Sequence, residues 1–240
     1  MSSIVPPNGW GEDSLSEFIG FTLHNTFHTF ACAKPWYAKL REVHDIFWEV
    51  VQNVANTEHV LPPFFIPRAH SAYLAAVRLV LSGQLPEAYM CLRGCLENAL
   101  YSFHIHKTPG DSELYLCRDD DDQKLKEFKK VFHPSPFLDE LEQDDKQIAG
   151  LARELYERSI EYGAHPNPRG MLASMKIKKE ERRVYFTSEY LLEDKLARAV
   201  CVKTAAQTGV CSLYIFRLTL EARFNLLGVT DKLLRVRRGL

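Results

Sequence analysis

The sequence predicts an all-α fold, a helical bundle of six to seven helices with a small β-hairpin before the last helix. Three observations carry this expectation. Apolar residues recur at three- and four-residue spacing along most of the 240 positions. Period-two alternation is confined to one stretch, Met171 to Ser188. Between the periodic segments stand glycines and prolines that stop helices, among them Gly83, Gly163, Pro166, Pro168 and Gly228. The composition, 46% hydrophobic and 25% charged, is that of a globular chain and excludes disorder, collagen-like repeats and a disulfide scaffold.

The elements follow in order. Residues 1–13 read as a loosely ordered N-terminus and 14–228 as a single helical-bundle domain. Pro35 suits a first helical turn, and Trp36, Leu40, Val43, Phe47, Val50 and Val54 share one stripe, an amphipathic helix of about five turns. Pro62-Pro63-Phe64-Phe65-Ile66-Pro67 reads as a connector whose phenylalanines pack back onto the body. A helical hairpin follows, one arm from about Ala69 to Ser82 and stopped by Gly83, the other from Pro86 to about Lys107. Asp119 to Asp122 followed by Lys124, Lys126, Lys129 and Lys130 complement a helix dipole; the same aspartates could hold a hard cation, but without EF-hand spacing capping is preferred. Ser135-Pro136 then opens a helix whose seam runs Leu138, Leu141, Asp145, Ile148, Ala152, Leu155, Ser159, Tyr162. The hairpin insert spans about 170–188. The final helix extends from Tyr190 to Leu227, with Gly209 marking a close contact or a break, and 229–240 reads as a basic C-terminal tail.

Charge and cysteines bound the function. Thirty basic residues face thirty-one acidic ones, so no overall bias points to nucleic acid or membrane. The distribution is uneven: from Arg169 onward there are 15 Lys and Arg against 7 Asp and Glu, and before it 15 against 24. This fits either a nucleic-acid-facing end or oppositely charged parts of one assembly facing each other, with the second favoured. Six cysteines without a C-x-x-C pair read as buried thiols in a reducing, cytoplasmic setting, with Cys91 and Cys95 as packing residues. No window has the charge-free apolar length of a membrane span, and the first ten residues do not read as a secretory signal.

Two segments could carry chemistry. In Leu92-Arg93-Gly94-Cys95-Leu96-Glu97-Asn98-Ala99-Leu100-Tyr101, the Arg93–Glu97 pair is four apart on one helix face, and Tyr101 and His104 continue that side. A salt bridge fixing helix register accounts for this pair as well as a site does. In Tyr156-Glu157-Arg158-Ser159-Ile160-Glu161-Tyr162-Gly163-Ala164-His165-Pro166, Arg158 and His165 are seven apart, two helical turns. An imidazole can move a proton near neutrality and a guanidinium can hold a phosphate oxygen. His24 and His28 have the spacing of two metal ligands, but Phe21, Phe27 and Phe30 around them favour an aromatic packing face, and no metal or cofactor is expected. No P-loop, G-x-G-x-x-G or G-x-S-x-G motif occurs.

Taken together, the hairpin arm carrying Leu92-Arg93-Gly94-Cys95-Leu96-Glu97 and the helix ending in Tyr156-Glu157-Arg158-Ser159 and His165-Pro166 resemble HEPN-like proteins, in particular the bacterial branch near abortive-infection proteins. The resemblance covers roughly Ala69 to Pro168. HEPN nucleases pair an arginine with a histidine four to six residues on, and Arg158 and His165 match with six between. Ser159 departs from the asparagine that often follows the arginine.

The resemblance implies a cofactor-free, metal-independent endoribonuclease of defence or stress response, acting on RNA as a homodimer, and it equally permits a non-catalytic binding module. On the nuclease alternative, His165 would move the ribose proton and Arg158 would stabilise phosphate charge. Glu97 would orient them, with Arg93, Asn98, Tyr101 and Ser159 as the surrounding polar cluster. Homodimerisation is further expected from the long amphipathic final helix.

Overall fold

A computed structural model describes residues 5–54, 60–164, 168, 172, 174–180, 183–192, 194–238 and 240. The chain runs α1 (Ser14–Cys32), α2 (Lys34–Gln52), a 3-10 turn (Pro62–Phe64), α3 (Phe65–Ser82), α4 (Leu85–Lys107), α5 (Asp111–Leu116), α6 (Asp122–Val131), α7 (Pro134–Asp144) and α8 (Lys146–Ser159). A π-helical turn (Ile160–Ala164) follows, then β1 (Met175–Glu180), β2 (Arg183–Ser188), α9 (Lys195–Thr219), α10 (Glu221–Leu226) and α11 (Val229–Val236). The fold is mostly all-α with an antiparallel hairpin, as expected, but among the described residues eleven α-helices replace the six to seven.

The additional helices come from breaks that the periodicity concealed. The seam from Leu138 to Tyr162 is two helices, because Asp145 turns into extended backbone and its carboxylate accepts from the Gln147 and Ile148 amides at 3.1 and 3.0 Å, capping α8. α7 is capped two residues earlier than expected, by His133 with Pro134 in the first turn. The final helix begins at Lys195 under an Asp194 cap, stops at Thr219 and gives way to α10. Gly228, left-handed at φ 63°, then redirects the chain into α11. The expected basic tail is therefore largely a helix, with Val229, Leu233 and Val236 buried. At the other end, residues 5–13 are exposed, and the Gly11 amide donates to Ser16 Oγ in the first turn of α1 at 2.9 Å. The connector at 62–67 is shorter than expected: α3 already starts at Phe65, and Pro67 fits its first turn. Phe65 packs inward while Phe64 stays exposed.

The α3–α4 hairpin ends where expected at Ser82 and Lys107, although α3 begins four residues early, and Gly83 between the arms is left-handed at φ 93°. α6 is capped by Asp121, whose carboxylate accepts from the Lys124 amide at 2.8 Å. In the β-hairpin Ile177 pairs with Phe186 and Lys178 with Tyr185. The core is built on α3, α4 and α9. α9 touches α2, α3, α4 and α8 and buries residues on all its sides, from Cys201 and Val202 to Ile215 and Phe216. Gly209 does not break α9 but admits neighbours: a Cβ there would lie 2.5 Å from Val43 Cγ1 and 2.8 Å from Tyr73 Cε2. By length and composition α9 passes as a membrane span, the one such helix among the described residues, yet most of it is enclosed by the other helices.

Candidate functional site

α4 and α8 pack side by side and bring part of the expected cluster together. The Arg93 Nε donates to Glu97 Oε1 at 2.8 Å, and Arg93 Nη2 donates to the Tyr156 hydroxyl at 2.9 Å. That hydroxyl in turn lies 3.4 Å from Glu97 Oε1, and the guanidinium sits 5.1 Å from the Tyr156 ring centre. Burial opposes the Arg93 charge, but the Glu97 and Tyr156 bonds outweigh it and raise the guanidinium above its ordinary pKa. Burial also raises the Tyr156 phenol, with the Glu97 carboxylate adding to the effect. This is a cross-helix lock: one ion pair within α4, bridged to α8 by a phenol.

Arg158 belongs to a different group. Residues 156 and 158 are about 200° apart around α8, so their side chains leave toward different neighbours. Arg158 Nη1 donates to Thr204 Oγ1 at 3.0 Å and Gln207 Oε1 at 3.3 Å, both on α9, and Nη2 pairs with Glu154 one turn back. Tyr89, buried against Thr204 and Cys201, lies at the same junction and stacks on Tyr162 at 5.5 Å. Arg158 thus ties α8 to α9, while Glu97 ties α4 to α8.

The remaining expected site residues are occupied structurally. Asn98 donates to the Gly94 carbonyl of its own helix at 2.7 Å. Tyr101 donates to the Phe132 carbonyl at 3.2 Å within a cluster of aromatic rings, and burial lifts its phenol to about 12. Ser159, buried, donates back to the Tyr156 carbonyl at 2.6 Å. His165 lies outside the described residues. The turn that leads to it, Ile160–Ala164, is π-helical and pressed against α4: a Cβ on Gly163 would fall 2.0 Å from the Pro86 carbonyl oxygen.

Two histidine arrangements escaped the sequence reading. His104 is bracketed by carboxylates, Nδ1 at 3.0 Å from Glu140 and Nε2 at 2.8 Å from Asp111, and stacks on Phe137 at 4.1 Å. It fastens α4 to α5 and α7. His44 Nδ1 lies 2.9 Å from His70 Nε2 across the α2–α3 seam, and His70 stacks on Phe47. Burial first, and then His44, lower His70 to about 4. His70 lies 26 residues from His44 and Glu140 lies 36 from His104, beyond any local spacing rule, while Asp111, 7 residues on from His104, is reached across the turn between α4 and α5. His24 and His28 sit on α1 beside phenylalanines that are largely exposed, so of the expected aromatic packing face only Phe30, edge-on to Tyr37 at 4.7 Å, finds a partner ring among the described residues. Among the described residues no group of three or more His, Cys, Asp or Glu could hold a metal ion.

A charged cleft of ≈ 530 Å³ lies between α2 and α11, with Glu42, Asp45 and Glu49 on one wall and Lys232 and Arg235 on the other. Lys232 reaches Glu49 at 2.5 Å. Part of the basic C-terminal charge therefore meets carboxylates of α2 in the same chain, with Lys39 beside them in the cleft. The six cysteines are free thiols; burial pushes Cys95 and Cys201 up to about 12 and Cys211 higher still. No family model, no curated protein and no solved structure matches this chain.

Proposed function

We propose that this chain acts as a helical interaction module rather than as a catalyst. The observation that carries the reading is the engagement of Arg158. Its two terminal nitrogens are held by Thr204, Gln207 and Glu154, so a phosphate could take the guanidinium only by displacing a carboxylate one turn away. Glu97 is likewise turned toward Arg93 and Tyr156, on a different side of α8. Groups bound in this way stiffen a scaffold: they fix the register of α4, α8 and α9 and leave recognition to the outer surfaces.

A second reading is favoured by one feature. π-helical turns recur at functional sites, and this one joins Arg158 to His165. On that reading the protein is a HEPN-like, metal-independent endoribonuclease, a cytoplasmic defence or stress protein acting on RNA. His165 takes the proton of the ribose 2′-hydroxyl, whose oxygen attacks the adjacent phosphorus; the bond from phosphorus to the 5′-oxygen breaks, leaving a 2′,3′-cyclic phosphate and a 5′-hydroxyl that takes up a proton, while Arg158, released from Glu154, neutralises the phosphorane oxygens.

One assay separates the two. Structured and single-stranded RNA are incubated in chelator with the full chain, with His165→Ala and with Arg158→Ala. The interaction reading expects no cleavage by any of the three. Cleavage by the unmodified chain that both substitutions abolish overturns it in favour of the nuclease.

A further inference from the structure

α1 is turned the wrong way round for a helix at the surface of a bundle. Its buried residues are Ser16 and Thr29. Asn25 Nδ2 donates to the Ser82 carbonyl at 3.1 Å, and Thr29 Oγ1 accepts from Arg198 Nη1 at 3.0 Å, so polar groups make its contacts with α3 and α9. Most of its large apolar side chains face outward, although the Phe18 ring meets Tyr190 at 6.3 Å and the Phe30 ring, itself 45% exposed, meets Tyr37 of α2 edge-on at 4.7 Å. Leu15, Ile19, Leu23 and Phe27 follow one another at strict four-residue spacing and Phe30 joins them, which puts all five within about 120° of the helix circumference. Their exposures are 67, 37, 50, 70 and 45%.

We propose that this stripe is the two-fold interface of a homodimer, in which α1 packs antiparallel on α1 of a second copy. The inference rests on the interaction reading above and names the partner. Three properties of the stripe select a second copy. The first is area. Taking roughly 200 Å² for a large side chain, the five leave on the order of 500 Å² of apolar surface open. A standard interface takes ~800 Å² from each partner and is about 65% apolar in homodimers, which comes to the same figure. A patch of that size ranks with the largest a typical monomer shows, and such patches are often functional.

The second property is charge. Glu17 is the only Asp, Glu, Lys or Arg in α1, and it lies off the stripe. Helices that lie on membranes carry Lys and Arg on their polar face, and nucleic acid needs cations for its phosphates. α1 offers neither. The third is self-complementarity. An isologous contact must place one surface against its own image. An antiparallel α1 pair with its axis between Ile19 and Leu23 sets Leu15 opposite Phe27 and Ile19 opposite Leu23. Small then meets large at each end, and no charge meets its like.

Light scattering on the full chain gives the first test. A mass of twice 27.6 kDa is expected for the unmodified protein. Leu23→Glu or Phe27→Glu halves it without changing the helical circular dichroism. Combining Leu23→Glu with Ile19→Lys sets opposite charges across the axis at both ends and recovers dimer. In the unmodified chain, hydrogen exchange along α1 slows as protein concentration rises.

An unmodified chain that stays monomeric overturns the dimer, whether or not it co-sediments with phosphatidylcholine vesicles. So does a dimer that both glutamate substitutions leave intact. The interaction reading fails by a different readout, His165-dependent RNA cleavage, which the mass does not report.

Discussion

α1 and α9 look alike as strings of residues and end in opposite surroundings. Both are long, rich in apolar side chains and poor in charge. α9 runs through the middle of the bundle with neighbours on every side, and the residues that make this possible are small: Cys201, Ala205, Ala206, Gly209, Cys211 and Ser212. α1 has phenylalanine and leucine where α9 has alanine and cysteine, and its polar links to the body are made by Asn25 and Thr29. What decides burial is how closely other helices can approach, and hydrophobicity alone does not report that. A long apolar helix of small residues becomes a core; one of bulky residues on a single stripe becomes a face.

The contrast is sharpest in phenylalanine truncations. Phe216, fully buried on α9, and Phe27, the most exposed of the α1 stripe, have the same side chain. Phe216→Ala removes packing that the bundle cannot refill and is expected to cost about 3–5 kcal/mol. Phe27→Ala, measured in the monomeric Leu23→Glu background, is expected to change stability by less than ~0.5 kcal/mol. Urea unfolding followed by circular dichroism reads both. Comparable losses would mean that the α1 stripe packs within its own chain.

The core side of the comparison also responds to acid. Val43 and Tyr73, which close on Gly209, flank the His44–His70 pair in the α2–α3 seam. His70 has a folded pKa near 4 against an ordinary 6.5 in the unfolded chain. Between these values the unfolded state binds more protons. The contribution is therefore complete above pH 6.5 and is lost as pH falls toward 4, by roughly 2–3 kcal/mol at the lower end. Unfolding free energies measured from pH 7 to 4.5 should show this slope, and His70→Gln should flatten it. An unchanged slope in the variant would place the acid sensitivity elsewhere.

How much of this was legible in the sequence depended on distance along the chain. The α3–α4 hairpin, with Gly83 as its stop, and the β-hairpin follow from local spacing and turn residues, and the structure has them within a few positions. The break at Asp145 was visible only as a polar interruption: a carboxylate in a seam and a helix cap look the same until the backbone turns. The Arg93–Glu97 pair was legible because four-residue spacing forces it. Its bridge to Tyr156, 63 residues away, was not, and neither were the α9 partners of Arg158, more than 40 residues on. Glu97 and Arg158 were expected to serve one pocket, but Glu97 meets α8 at Tyr156, and the angle between 156 and 158 sends Arg158 to a different neighbour. The final helix was expected to offer a dimer face because it is long and apolar. The same length, built from small side chains, fits it to the centre.

Two glycines extend the comparison. A methyl group on Gly209 would meet Val43 and Tyr73 at distances that no side chain tolerates without movement, whereas one on Gly20 of α1 would meet only Trp10 Nε1, at 3.9 Å. Gly209→Ala is expected to destabilise by about 1–3 kcal/mol through overpacking. Gly20→Ala is expected to stabilise by roughly 0.5–1 kcal/mol, the ordinary gain of alanine over glycine within a helix. Opposite signs for one chemical change would measure the difference in crowding directly. A stabilising Gly209→Ala would show that α9 is less tightly held than its contacts indicate.

The smallest effect tests the inner side of α1. Asn25 supplies one of its polar links to the body, the bond to the Ser82 carbonyl at the end of α3, where Gly83 has just turned the chain out of the helix. That carbonyl belongs to a buried residue, so losing its donor leaves an acceptor poorly served by water. Asn25→Ala is expected to cost about 1 kcal/mol, again in the Leu23→Glu background so that dimerisation does not mask it. The dimer mass of the otherwise unmodified chain should persist, because the stripe lies on the opposite side of the helix. If Asn25→Ala left stability unchanged but weakened the dimer, the two faces of α1 would have exchanged the roles assigned to them. The polar side would then serve the second copy, and the apolar side would be held by the chain itself.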